Sequence, residues 1–143
     1  MMRFLVFALM AGLALCCGLG GCFLRVSSGV TAGVPSGAVA IAPALAGGED
    51  VVASYDGSFG QDGSFLVLVT NERVVLHTAE AGDRAIALLD ITGIIVDEDE
   101  GRVLIKSVGD ALIVPMYWAN DRLALAKAVQ RAVQARKQIP ADG

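Results

Sequence analysis

Four stretches of this 143-residue chain carry residue types able to do chemistry, and three of them have a blander use. His77 is the only histidine. It alternates with Val75 along an apolar run, and Asp83 or Asp90 behind it would make it a general base. No nucleophile stands in a recognisable context beside it, so a structural or surface histidine is the better reading. Asp97, Glu98, Asp99 and Glu100 place four carboxylates in a row. Ca²⁺ takes six to eight oxygens, but their spacing matches no known loop, and adjacent carboxylates in a turn mostly point apart. A solvated turn is favoured. The glycines of "DGSFGQDG" (56–63) lack the lysine and the strand-to-helix setting of a phosphate loop, and read as a turn. The fourth group is the Cys22 thiol, which follows Leu19-Gly20-Gly21 at the end of a long apolar run.

The residues ahead of Cys22 explain its position. Arg3 supplies a short basic start, and Phe4 to Leu15 an apolar stretch of the length a secretory signal uses. That stretch is too short for a confident membrane-spanning helix of roughly 20 residues. Small residues then follow where a peptidase must bind an extended backbone. The rival is an uncleaved anchor with a chance cysteine, which the length disfavours.

Leu19-Gly20-Gly21-Cys22 resembles the lipobox of bacterial lipoproteins: an aliphatic residue, two small residues, then the cysteine. The resemblance implies diacylation of the Cys22 thiol, as with palmitate, and cleavage of the signal peptide between Gly21 and Cys22. Cys16 and Cys17 would leave with the peptide. It implies a membrane partner through the lipid anchor and a place in the cell envelope. Phe23, not an aspartate, follows the cysteine. In a bacterium with two membranes that implies the outer membrane, facing the periplasm. Each buried CH₂ is worth roughly 0.8 kcal/mol, so more than one chain is needed for stable anchoring.

From residue 22 onward Cys22 is the only cysteine, which excludes an internal disulfide and a zinc site of Cys and His ligands. No metal or other cofactor is expected. Between Glu49 and Ala119 there are thirteen acidic and four basic residues; from Asn120 on there are five basic and two acidic. Nucleic acid is not an expected partner of such an acidic body, because binding it rests largely on Lys and Arg neutralising phosphates.

Composition divides the chain into a signal peptide (1–21), a lipid-anchored tether (22–48), one domain (49–138) and a short tail (139–143). The tether is rich in Gly, Ala, Ser and Pro and shows no lasting apolar period. Fully extended it would reach on the order of 85 Å and hold the domain off the bilayer. "AVAIA" (38–42) within it is a candidate short strand. From Glu49 on, apolar runs of strand length alternate with turns: "DVVASY" (50–55), "FLVLVT" (65–70), "RVVLHT" (73–78), "AIALLDITGIIV" (85–96, divided near Asp90 and Gly93), "RVLIKSV" (102–108) and "ALIVPM" (111–116). That order argues for an antiparallel sandwich or barrel. The end of the chain is a helix capped by Asn120, with Leu125, Val129, Ala132 and Val133 on one face and Lys127, Gln130, Arg131 and Gln134 opposite. Leu123 falls off the apolar stripe.

The strand-then-helix order resembles bacterial pleckstrin-homology-like domains, of PH/GRAM type, over Glu49 to Gln138. Thr70-Asn71-Glu72-Arg73 resembles that family's hairpin, Leu89-Asp90-Ile91 its step into the next strand, and the last helix the one that plugs the barrel. The resemblance implies a mainly β fold capped by one C-terminal helix. The basic loop cluster of phosphoinositide-binding members is missing, so inositol-phosphate binding is not expected.

Two features point to a partner. In "FLVLVT" both faces are apolar, whereas a half-exposed antiparallel strand should alternate with polar residues. Leu66 and Leu68 are therefore either covered by the tether, a second copy or a partner, or closed inside a tight barrel; the two readings stand level. Trp118 reads first as a core residue wedged under the helix and second as a partner contact. The function expected is a lipid-anchored envelope protein, not an enzyme, whose domain binds or scaffolds a protein partner or a second copy. A lipid- or small-ligand-binding domain is the first alternative, a hydrolase the second.

Overall fold

The computed structural model describes residues 29–34, 41–57 and 64–139. They form two antiparallel sheets and a long C-terminal helix. The first sheet runs β1 (Val30–Ala32), β2 (Val51–Asp56), β3 (Phe65–Thr70), β4 (Arg73–Thr78) and β5 (Gly82–Ala87), each strand paired to the next. A 3₁₀ turn, Leu88–Asp90, leads to the second sheet: β6 (Ile91–Asp97), β7 (Arg102–Ser107) and β8 (Asp110–Pro115). Helix α1 (Ala42–Ala46) precedes β2, and helix α2 (Ala119–Lys137) closes the fold. The architecture is a β-sandwich capped by a helix.

Strand period sets which residues meet. Ala53 and Tyr55 of β2, Val67 and Val69 of β3, Val74 and Leu76 of β4 and Ile86 of β5 face inward. Val103 and Ile105 of β7 and Leu112 and Val114 of β8 meet them from the second sheet. Leu125, Val129, Ala132 and Val133 of α2 lie on this core, as their helical spacing predicts. Leu123 is half-exposed, because it points away from both sheets. The 3₁₀ turn divides the long run 85–96 at Leu88–Asp90, with Leu88 buried; Gly93 instead lies inside β6, at a shift of its register with β7. Gly109, at φ +81°, supplies the left-handed residue of the tight β7–β8 hairpin. Arg84 of β5 pairs with Asp110 of β8 where the two sheets adjoin.

The segment read as a tether is partly built into the fold. β1 pairs antiparallel with β2, Val30 opposite Tyr55 and Ala32 opposite Ala53. The Gly29 amide donates to Asp121 Oδ1 at 3.0 Å, fixing the entry of β1 to the first turn of α2. α1 starts with Pro near its first turn and stops at Gly47, a left-handed residue whose N–H bonds the Pro43 carbonyl. Of the candidate strand 38–42, Ile41 and Ala42 are not in a strand, Ala42 opening α1, and 38–40 lie outside the described residues. The folded unit therefore reaches back to Gly29 rather than beginning at Glu49.

Asn120 is not the helix cap. Trp118 is, in extended conformation (φ −93°, ψ 130°), and its carbonyl accepts the Arg122 N–H at 3.1 Å. At the other end Arg136 reaches Glu72 in the β3–β4 turn at 2.9 Å.

Candidate functional site

Leu66 and Leu68 are fully buried and do not form a partner contact. Their cover is α1: Ala42 packs on Leu66, Leu68 and Val75, with Ile41, Leu45 and Val51 around them. The apolar outer face of β3 belongs to a second, smaller core. Arg73 locks this cover in place. Its Nε donates to Glu49 Oε1 at 2.9 Å and its Nη2 to the Leu45 carbonyl at 3.1 Å, at the C-terminal end of α1. Thr70, also fully buried, donates its hydroxyl to the same Glu49 oxygen at 2.9 Å and accepts the Arg73 and Glu72 amides. Asn71 exchanges two hydrogen bonds with Asp50. The Thr70–Arg73 hairpin is thus a clamp on the segment before β2.

Trp118 is not wedged under α2. It is 48% exposed and meets the 76% exposed Tyr117 edge to face, ring centroids 4.8 Å apart. The pair is held from behind. Arg122, itself buried, donates Nη1 to the carbonyls of Met116 at 2.7 Å and Tyr117 at 3.0 Å, and Nη2 to Glu98. The backbone under the two rings is therefore fixed while the rings stand in solvent.

His77 and Asp83 face each other across β4 and β5 and are hydrogen-bonded through Nδ1. Asp90 sits apart, exposed at the end of the 3₁₀ turn. In the 97–100 turn the carboxylates are engaged singly: Asp97 accepts the Glu100 amide at 3.1 Å and Arg102 Nε at 3.1 Å, and Glu98 takes Arg122. The Glu100 amide and Arg102 hold the Asp97 carboxyl below the usual carboxylate range. Burial, reinforced by the charges of Asp121 and Asp56, pushes the Tyr55 hydroxyl up. Among the described residues no group of three or more His, Cys, Asp or Glu side chains is placed to hold a metal ion. Nor is any described helix long and apolar enough to cross a membrane. Gly21 and Cys22 lie outside the described residues.

No protein-family model, curated protein or solved structure matches this chain.

A surface that the sequence reading passed over is formed by the second sheet. Ile95, Leu104 and Ile113 stand opposite one another across β6, β7 and β8, on the face turned away from the core. Ile95 is 44% and Ile113 46% exposed, and Leu104 is half-buried between them. One neighbouring row carries Lys106; the other carries Asp97 and its partner Arg102. An apolar centre with a charged rim is the usual make-up of a protein interface. The signal was present in the sequence. "IIV", "VLI" and "LIV" are apolar on both faces, as "FLVLVT" is. What differs is that α1 covers β3, whereas Ile95 and Ile113 remain open to solvent.

Proposed function

We propose that the chain is a bacterial envelope lipoprotein, anchored through Cys22, whose PH-like sandwich is a protein-binding or scaffolding module. The observation that carries the binding role is the row Ile95–Leu104–Ile113, where a solvent-facing antiparallel sheet should present polar side chains. The meander β2–β5, extended at its edge by β1, then the meander β6–β8 and a closing helix support the PH-like reading. The packing under α2 favours a module over a carrier. Leu125 and Val129 are fully buried against Val103, Ile105 and Leu112, so side chains fill the space between α2 and the second sheet. The pairing of His77 with Asp83 on a strand hairpin is also the ordinary cross-strand pairing of two surface residues.

The test is substitution on the row. Ile113→Lys leaves the core intact, because Ile113 points outward, and its own effect on stability should stay within about 0.5 kcal/mol. Cross-linking through a photoreactive residue at position 95 should give one dominant adduct, to a partner or a second copy, that Ile113→Lys abolishes. An adduct that survives Ile113→Lys would remove this sheet from the binding role.

A further inference from the structure

Docking of β1 changes the length of the leash. Resting on the Cys22 reading, the length of chain between the anchor and the folded unit is not the 22–48 tether but only the seven residues 22–28 that precede Gly29. Seven residues span at most about 25 Å. Where that leash ends is fixed: the Gly29 amide is bonded to Asp121 in the first turn of α2. Trp118 precedes Asp121 by three residues, or about 5 Å along a helix axis. An anchor in the bilayer therefore keeps the start of α2 within about 25–30 Å of the membrane surface. A folded unit of this size has a radius of gyration of about 13 Å, so this reach is less than one domain diameter and contact with the bilayer is within it.

The surface presented there suits a bilayer interface. Tyr117 and Trp118 are exposed, held as an edge-to-face pair and backed by the Arg122 bonds to the carbonyls of Met116 and Tyr117. Leu123 is half-exposed in the next turn. Tyrosine and tryptophan rings, apolar in body and polar at one edge, favour the headgroup level of membranes. A short leash raises the local concentration of the second contact into the millimolar range, so a weak contact suffices. The same end carries Glu98, bonded to Arg122, with Asp99 and Glu100 in the β6–β7 turn. Those carboxylates oppose an anionic surface and select a zwitterionic one.

We infer that Tyr117 and Trp118 form a membrane-interface contact that engages only when Cys22 is anchored, fixing the domain's orientation on a zwitterionic bilayer with the Ile95–Leu104–Ile113 row free for a protein. The sole tryptophan of the chain reports this directly. The acylated protein is reconstituted in phosphatidylcholine vesicles, with and without lipids brominated near the headgroup. Its tryptophan emission should shift to the blue and lose more than half its intensity to the brominated lipid, while acrylamide quenching falls. A chain from residue 22 carrying Cys22→Ser, mixed with the same vesicles, should show neither change. Added anionic lipid should weaken the quenching. An acylated, vesicle-bound protein whose tryptophan stays open to acrylamide and unquenched by the brominated lipid would overturn the contact and leave the anchor standing. A mass showing no acyl chains on Cys22 would overturn both.

Discussion

Val129→Asp should leave the protein without a cooperative thermal transition. Val129 has no exposed surface and packs in the core shared by α2 and both sheets. A carboxylate there has no partner among the apolar side chains around it. Burying it costs several kcal/mol, and the escape from that cost is to take a proton or to open the helix away from the sheets. Total stabilities of 5–15 kcal/mol are typical of single domains, so one such change removes a large part. Leu123→Asp is the matching control: the same helix, the same chemistry, but a half-exposed site. It should move the melting transition little, with an effect of about 0.5 kcal/mol. Circular dichroism melts of the two variants check both. Equal transitions would mean that α2 does not pack on the sheets.

Removal of residues 1–48 should be nearly as damaging, although all seven of the longer strands and α2 remain. The cut takes away β1 and α1. It uncovers Leu66, Leu68 and Val75, which are 0%, 0% and 3% exposed in the intact fold. Fully burying a leucine or valine is worth about 1.5–3 kcal/mol relative to exposure, so the loss is of several kcal/mol. Arg73 also loses the Leu45 carbonyl it bonds, and Asp121 loses the Gly29 amide. The expected result is a much lower melting temperature and concentration-dependent self-association by light scattering, against a chain beginning at Cys22 that stays monodisperse at low concentration. A truncated chain that melts at the same temperature and stays monomeric would show that the cover contributes nothing.

These two cases also mark what the sequence could and could not disclose. Most of the β-strands and α2 are legible because each is long enough to show a period. "FLVLVT" and "RVVLHT" lie on β3 and β4 residue for residue, and Leu125, Val129, Ala132 and Val133 are the buried stripe. β1 and α1 are three and five residues long, too short for any period to emerge, and the residues α1 buries within itself are alanines. Their presence was announced elsewhere, by the unexplained outer face of β3, with the tether as one of the covers considered. Arg73 was read as part of a family-like hairpin, but its reach to Glu49 and Leu45 depends on a fold-back 24 and 28 residues upstream, which no local pattern encodes. Trp118 misled for a different reason. Its size favours burial, yet it occupies the helix cap, where the extended backbone directs it into solvent. The exposed row Ile95–Leu104–Ile113 is not legible in the sequence because three separately unremarkable isoleucine and leucine positions are brought together only through strand register.

The proposed orientation, leash and envelope location all hang on one thiol. Cys22 is the only cysteine from residue 22 on, so its modification can be read without ambiguity. The decisive measurement is the mass of the amino-terminal peptide of the protein isolated from its native membrane fraction. The account predicts a peptide beginning at Cys22 and carrying a thioether-linked diacylglycerol, lost in Cys22→Ala together with cleavage after Gly21. A chain that retains Met1, or one whose Cys22 sulfur is unmodified, would contradict it.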